Sequence, residues 1–197
     1  MTLTSKDATP GAAAISYQLD SSASRFTVRA FAAGIVAALG HSPTLAIRDF
    51  AGEIGFTPAR PERATLRMEI RSGSLEVTDD IKSSDRREME NTMNRDVLHV
   101  AQYPVIAFES TSTSVDNIGD GRYKVALSGN LTLRGVTRIV PVIAHVTTSG
   151  DLLLRASGQF SILQSDYGIP PVSVAGGALK LKDELKFSFD IVARKQV

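Results

Sequence analysis

The sequence predicts an all-β protein: an eight-stranded antiparallel barrel with one covering α-helix and a short lid segment. Three observations carry that expectation. The stretch Ala178 to Arg194 alternates, apolar on one side except at Asp183 and polar on the other except at Val192, with Leu179, Leu181, Asp183, Leu185, Phe187, Phe189, Ile191 and Ala193 on the first side. Lys180, Lys182, Glu184, Lys186, Ser188, Asp190, Val192 and Arg194 fall on the other. A side-chain period of two marks a strand with one face hidden and one in water. Second, similar alternating runs recur between turn signals along most of the chain. Third, only one segment has a convincing helical period. A strand this long, wet on one side only, needs equally long neighbours curving round its apolar face, and a closed antiparallel barrel supplies them.

Taken in order, residues 1–14 carry Thr, Ser, Pro, Gly and Ala without periodicity and read as a flexible N-terminal tail, leaving 15–197 as the barrel domain. Tyr17 to Asp20 is a short strand, and Phe26, Val28 and Ala30 alternate with Arg25, Thr27 and Arg29 in the next. The segment FAAGIVAALGHS reads as a plug or lid at one barrel end. Leu45 to Phe56 is a strand whose phase changes near Asp49, the mark of a bulge. Leu66, Met68 and Ile70 alternate with charged residues in the following strand.

The helix comes next. Asp85 and Glu88 are spaced as a capping box, Met89, Met93 and Val97 recur at i, i+4, i+8, and Arg86 with Glu90 is spaced for an ion pair. Tyr103-Pro104 restarts the sheet, Asp120-Gly121 and Arg134-Gly135 mark turns, and strands follow over Tyr123–Leu133, Val136–Thr148 and Leu152–Gln164. Ser165 to Gly177 is an irregular connection at the rim.

Composition excludes several functions. Twenty-two basic and 21 acidic residues leave a formal charge of +1, so no broad field draws in nucleic acid or an anionic membrane. With no cysteine there is no disulfide, thiolate metal site or cysteine nucleophile. No run of about 18 apolar residues is present to span a membrane. The N-terminus has no signal-peptide pattern, so the chain as written reads as cytoplasmic, or periplasmic if a leader has been removed.

The inward positions mix bulky residues with Gly52, Ser72, Gly129, Ala156 and Gly158. Small residues there either leave room for a ligand or mark bends required by curvature, and the pattern does not separate the two. His41, His99 and His145 lie far apart and form no metal-ligand pair; His41, in the suspected lid, is the best candidate for chemistry. No G-x-S-x-G elbow is present. Asp116 to Gly121 lacks the ligands of a calcium loop. Asp183 interrupts an apolar face, so it needs a partner, a bulge or a polar ligand group.

Several blocks resemble the YceI-like family, also described as polyisoprenoid-binding or lipocalin-like proteins. Tyr17 to Asp20 through Phe26 resembles the W-x-I-D…F opening, and Phe50-Ala51-Gly52-Glu53-Ile54 resembles F-x-G-x-I. Ser74 to Thr78, Asp96-Val97-Leu98 and Tyr103-Pro104 to Ser110 follow the next block; Gly129 to Thr137 is close to G-x-L-T-I-x-G-V-T, and Ser165 to Ile169 resembles S-D-F-G. Tyr17 replaces the usual Trp, Ala23 a common His, and Gln164 the Arg that often precedes S-D-F-G; the helix lacks the R-D-x-H-L run.

The resemblance implies a lipocalin-like barrel holding an isoprenoid quinone, polyprenyl phosphate or fatty amide, with no other cofactor. The expected function is thus non-catalytic binding, storage or transport of an apolar small molecule. Its tail would lie among Phe26, Ile54, Phe56, Met68, Phe108, Leu127, Leu131, Phe160, Leu185, Phe187 and Phe189, with His41, Arg86, Asp166 and Asp183 as headgroup or mouth residues. Two alternatives stand beside it. One is an enzyme using His41 as acid or base with Asp166 or Arg86; the other is a filled-core interaction or stress-response module. Such a barrel could also form a homodimer through the helix or an exposed strand face.

Overall fold

The computed structural model describes residues 15–33, 42–57, 59–170, 173–174 and 179–196. The expected tail over 1–14 and the expected lid around Gly34 to His41 lie outside the described residues. The strands are β1 (Ile15–Leu19), β2 (Arg25–Ala33), β3 (Thr44–Ile47), β4 (Phe50–Phe56), β5 (Thr65–Arg71) and β6 (Leu75–Val77). They continue as β7 (Val105–Gly119), β8 (Arg122–Leu133), β9 (Val136–Ser149), β10 (Leu153–Leu163), β11 (Ser173–Val174) and β12 (Leu179–Lys195). All pairings are antiparallel, and the ring β1-β4-β5-β7-β8-β9-β10-β12 closes where β12 returns to β1. Eight staves therefore enclose the core, as the alternation predicts.

Three neighbouring staves are broken. β12 pairs with both β1 and β2 along one edge, β4 and β3 pair with β1 and β2 in turn, and β5 and β6 pair with β4 and β3. Each pair is thus one stave interrupted at 20–24, 48–49 or 72–74. The phase change near Asp49 marks the second break, a full interruption of the strand. Polar groups stitch the corners: the Ser74 hydroxyl accepts from the Asp49 N–H at 3.1 Å, and Arg71 pairs with Asp49 at 2.7 Å. Ser72, 1 % exposed, donates its hydroxyl proton to the Tyr103 carbonyl at 2.6 Å.

The first break explains why Val192, on the polar side of β12, is only 1 % exposed. The 20–24 turn lies over it: the Asp20 N–H donates to the Val192 carbonyl and the Val192 N–H to the Ser24 hydroxyl, at 2.8 and 2.9 Å. Asp20 also pairs with Arg194 at 2.8 Å.

The barrel ends differ. At one end lie a two-residue hairpin turn, with Asp120 and Gly121 at positive φ as it requires, and a three-residue turn over 150–152 that opens on Gly150, also at positive φ. That end is packed by Tyr17, Phe56, Tyr123, Val146, Leu154 and Ala193, all buried, with the Phe56 and Tyr123 rings edge to face at 5.2 Å. The longer connections gather at the other end, and helix α1 (Ser83–Thr92) is among them.

Two expectations about α1 are corrected. Asp85 does not cap it: the helix starts at Ser83, after Lys82, and the Asp85 carboxylate accepts from the Ser84 hydroxyl. Arg86 and Glu90 do not pair either. Arg86 donates to the Asp79 carbonyl at 3.0 Å and Glu90 accepts from the Val77 N–H at 3.0 Å, so both tie the helix to the chain leading into it. These partners satisfy backbone groups that an exposed ion pair, worth a few tenths of a kcal/mol, would leave open. Beyond Thr92 the helix widens into a π turn over Met93–Val97, which delivers buried Leu98 to the barrel.

Asp183 sits at a bulge, since the register of β12 against β2 shifts between Leu181 and Leu185. Its carboxylate accepts from the Ser165 N–H at 2.8 Å and the Ser165 hydroxyl at 2.5 Å. Beside it, Gln164 donates to the Lys182 carbonyl at 2.9 Å. The 164–167 turn is in this way latched to β12.

Replacing Asp183 by Asn should lower the thermal midpoint, as should Ser165→Ala, and the double variant should lose little beyond either single one. Additive losses in that cycle would show the latch to be energetically idle. Asp20 makes a pH prediction. The Ser22 hydroxyl above all, then Arg194 and the Ala23 N–H, hold its carboxyl at about 2 against an ordinary 3.8. A depressed carboxyl contributes stability above its unfolded value and loses it as pH falls through the folded one. Urea midpoints should therefore drop between about pH 4 and about pH 2, and Asp20→Asn should flatten that limb.

Candidate functional site: an apolar lumen

Alternation along β12 points Leu185, Phe187, Phe189 and Ile191 inward, where they meet inward residues of every other stave. The staves do not fill what they enclose. A cavity of about 720 Å³ occupies the barrel, within the range of pockets that take one small ligand. The filled interior required by the interaction-module alternative is therefore not what the chain builds.

Aromatic side chains shape one wall. Phe160 and Phe187 stack with centroids 4.7 Å apart and planes 5° from parallel, and Phe26 lies 6.1 and 6.4 Å from Phe187 and Phe189. Opposite, β4, β5, β7 and β8 contribute Ile54, Met68, Phe108, Leu127 and Leu131. The α1 side supplies Met89, Met93 and Val97, the three residues of the helical period.

The inward glycines do not themselves leave the space. A Cβ at Gly158 would clash with the Ile143 carbonyl and lie 2.7 Å from the Phe189 ring; one at Gly129 would clash with the Phe108 ring. Both glycines let an aromatic ring of the neighbouring strand come close to the backbone, and Gly129 also lies at the β7–β8 register shift between Ser110 and Ser112, so there the bend reading holds as well.

All eleven residues expected along an apolar tail line this one cavity: Phe26, Ile54, Phe56, Met68, Phe108, Leu127, Leu131, Phe160, Leu185, Phe187 and Phe189. None of the described mouth residues does. His41 lies outside the described residues. Arg86 is bonded to the Asp79 carbonyl, and its Nε is buried without a partner. Asp183 is engaged with Ser165, which holds its carboxyl below the usual carboxylate range. Asp166 faces a separate surface depression with Arg138, Ser161 and Glu184, outside the lumen. The polar residues that do line the lumen include Asp79, Asp85, Glu88 and Gln164, the last only 3 % exposed.

Sequence reasoning missed those four. Asp85 and Glu88 follow the helical stripe of Met89 and Met93 and could have been found from it; Gln164 and Asp79 sit in turns where no period applies. Among the described residues no group of His, Asp and Glu is arranged to hold a metal, and no helix is long and apolar enough to cross a membrane.

Similar proteins bear on the architecture. A structure of BcnA from Burkholderia cenocepacia superimposes with a TM-score of 0.68 at 19 % identity, covering 88 % of this chain and 98 % of that one. A polyisoprenoid binding domain from Saccharophagus degradans, implicated in plant cell wall breakdown, gives 0.67 at 16 % identity over 92 % and 99 % of the two chains. A UPF0312 protein of Azotobacter vinelandii is 30 % identical over 103 residues, 52 % of this chain. The chain spans about half the length of the curated relatives it matches, 48 % in that case. The YceI-like domain matches residues 17–193, nearly the whole described barrel, and the chain belongs to that family.

Proposed function

We propose that this protein binds one long-chain apolar molecule inside the barrel, as a non-catalytic carrier or store. The observation that carries the reading is the continuous cavity of about 720 Å³ with an almost wholly apolar lining, closed at the hairpin end by packed aromatic side chains. Each methylene moved from water into such a lumen contributes about 0.8 kcal/mol, so about ten offset the cost of association without any polar contact. The similarity to a polyisoprenoid binding domain supports a long-chain apolar ligand, and isoprenoid quinones, polyprenyl phosphates and fatty amides are the candidates.

Absence of catalysis is part of the proposal. An enzyme acting through His41 needs Asp166 or Arg86 within hydrogen-bond reach of the same substrate atom. Arg86 and Asp166 are not among the residues that line the lumen, and Asp166 lines the outer depression instead. Arg86 and Asp166 are therefore not brought together on one described pocket.

Native mass spectrometry of protein purified from its native host should show an adduct of a few hundred daltons or more that extracts into organic solvent. A delipidated sample should bind a fluorescent fatty probe one to one. Leu127→Trp, which fills the mid-lumen, should fold and yet weaken that probe by about tenfold or more, the loss of roughly two buried methylenes. A clean apo mass together with no probe binding would remove the proposal.

A further inference from the structure

The lumen lining is uncharged except at one place. Along the inward stripe of α1 and the turn that follows, Val97, Met93 and Met89 are apolar, and the next two positions on the same stripe are Glu88 and Asp85. Asp79, in the segment leading to α1, lines the cavity beside them. The lining therefore changes from hydrocarbon to carboxylate along a single element, at the end of the barrel where the long connections gather. No lysine, arginine or histidine is among the described residues that line the cavity. Arg86, the cation of α1 bonded into this region, donates to the Asp79 carbonyl and is not on the lining.

An amphiphile whose tail fills the lumen must put its head near these three carboxylates or project it past them. A phosphate or carboxylate head there meets like charge with no cation on the lining to offset it, whereas an ammonium or amide N–H meets acceptors. Gln164, the buried polar residue of the lining, has one N–H committed to the Lys182 carbonyl and keeps one N–H and its carbonyl oxygen, so it adds no positive charge and favours neither head.

We infer that the lumen selects long-chain molecules with a cationic or hydrogen-bond-donating head, amines foremost, and discriminates against anionic lipids such as fatty acids and polyprenyl phosphates. The inference rests on the lipid-binding reading above and narrows its ligand class.

Four probes with the same saturated 18-carbon chain separate the two ideas: a primary amine, an alcohol, a carboxylate and a monophosphate. Each would be titrated at neutral pH, below its aggregation concentration, against delipidated protein carrying a displaceable fluorescent apolar probe. The amine should bind tightest and the alcohol next, with the amine about tenfold ahead of the carboxylate at low salt and less at high salt, because exposed charges are screened. Asp85→Asn with Glu88→Gln should narrow the amine-to-carboxylate ratio. A carboxylate or monophosphate that binds as tightly as the amine would overturn the inference, and so would a ratio unmoved by the double variant and by salt. Binding of the alcohol reports separately on the lipid-binding reading: if it binds while the charge order fails, only the head selectivity is lost, and if none of the four binds, both fall.

Discussion

Everything in this fold depends on how β12 is paired. It runs from Leu179 to Lys195, and one of its edges is served by two shorter strands, β1 and β2. The chain must therefore turn a corner between them while the ring stays closed. Asp20 makes that corner: its N–H and side chain together engage Val192, Ser22, Ala23 and Arg194. The same bend passes to β3–β4 and then to β5–β6, each broken beside the last, so a local solution at 20–24 sets the curvature of three staves. Closure removes the sheet edges that an open arrangement of such strands would expose.

The closed ring then meets a problem of volume. Eight staves enclose more space than the chosen side chains occupy at the helix end, while the hairpin end is packed tight. Where glycine faces inward at 129 and 158, aromatic rings from adjacent strands cover the backbone, so the rings sit against the wall and leave the axis free. The cavity is a product of how large residues are placed. It does not come from a shortage of them.

Much of this could be read in the sequence because a strand reports its own facing. Period two assigns each side chain to a side, so the tail residues from Phe26 to Phe189 emerge as one set before any coordinates. Asp120-Gly121 likewise fixes a turn through its backbone requirement. What escaped notice depends on what lies across from a residue. Arg86 and Glu90 have ideal helical spacing, yet Asp79 and Val77 offer better partners from a preceding segment. Asp85 looked like a cap, and that reading hid its place on the inward stripe with Met89. Asp183 interrupts the alternation, which left a partner, a bulge and a ligand contact open together; the bulge and the Ser165 partner are what the fold supplies, and that partner sits in a turn where no period applies.

One further property follows from the uneven seams between staves. The β9–β10 ladder stops at Ile143 and Gln159, although both strands continue, to Val136 and Leu163. Past that point the 164–167 turn, with buried Tyr167, sits beside the diverging strands. Beyond this point no strand pairing between β9 and β10 would have to break for the girth to change, as is also true beside β6, which pairs only with β3. At such an expansion joint the girth of the barrel is held by packing and not by the pairing of strands.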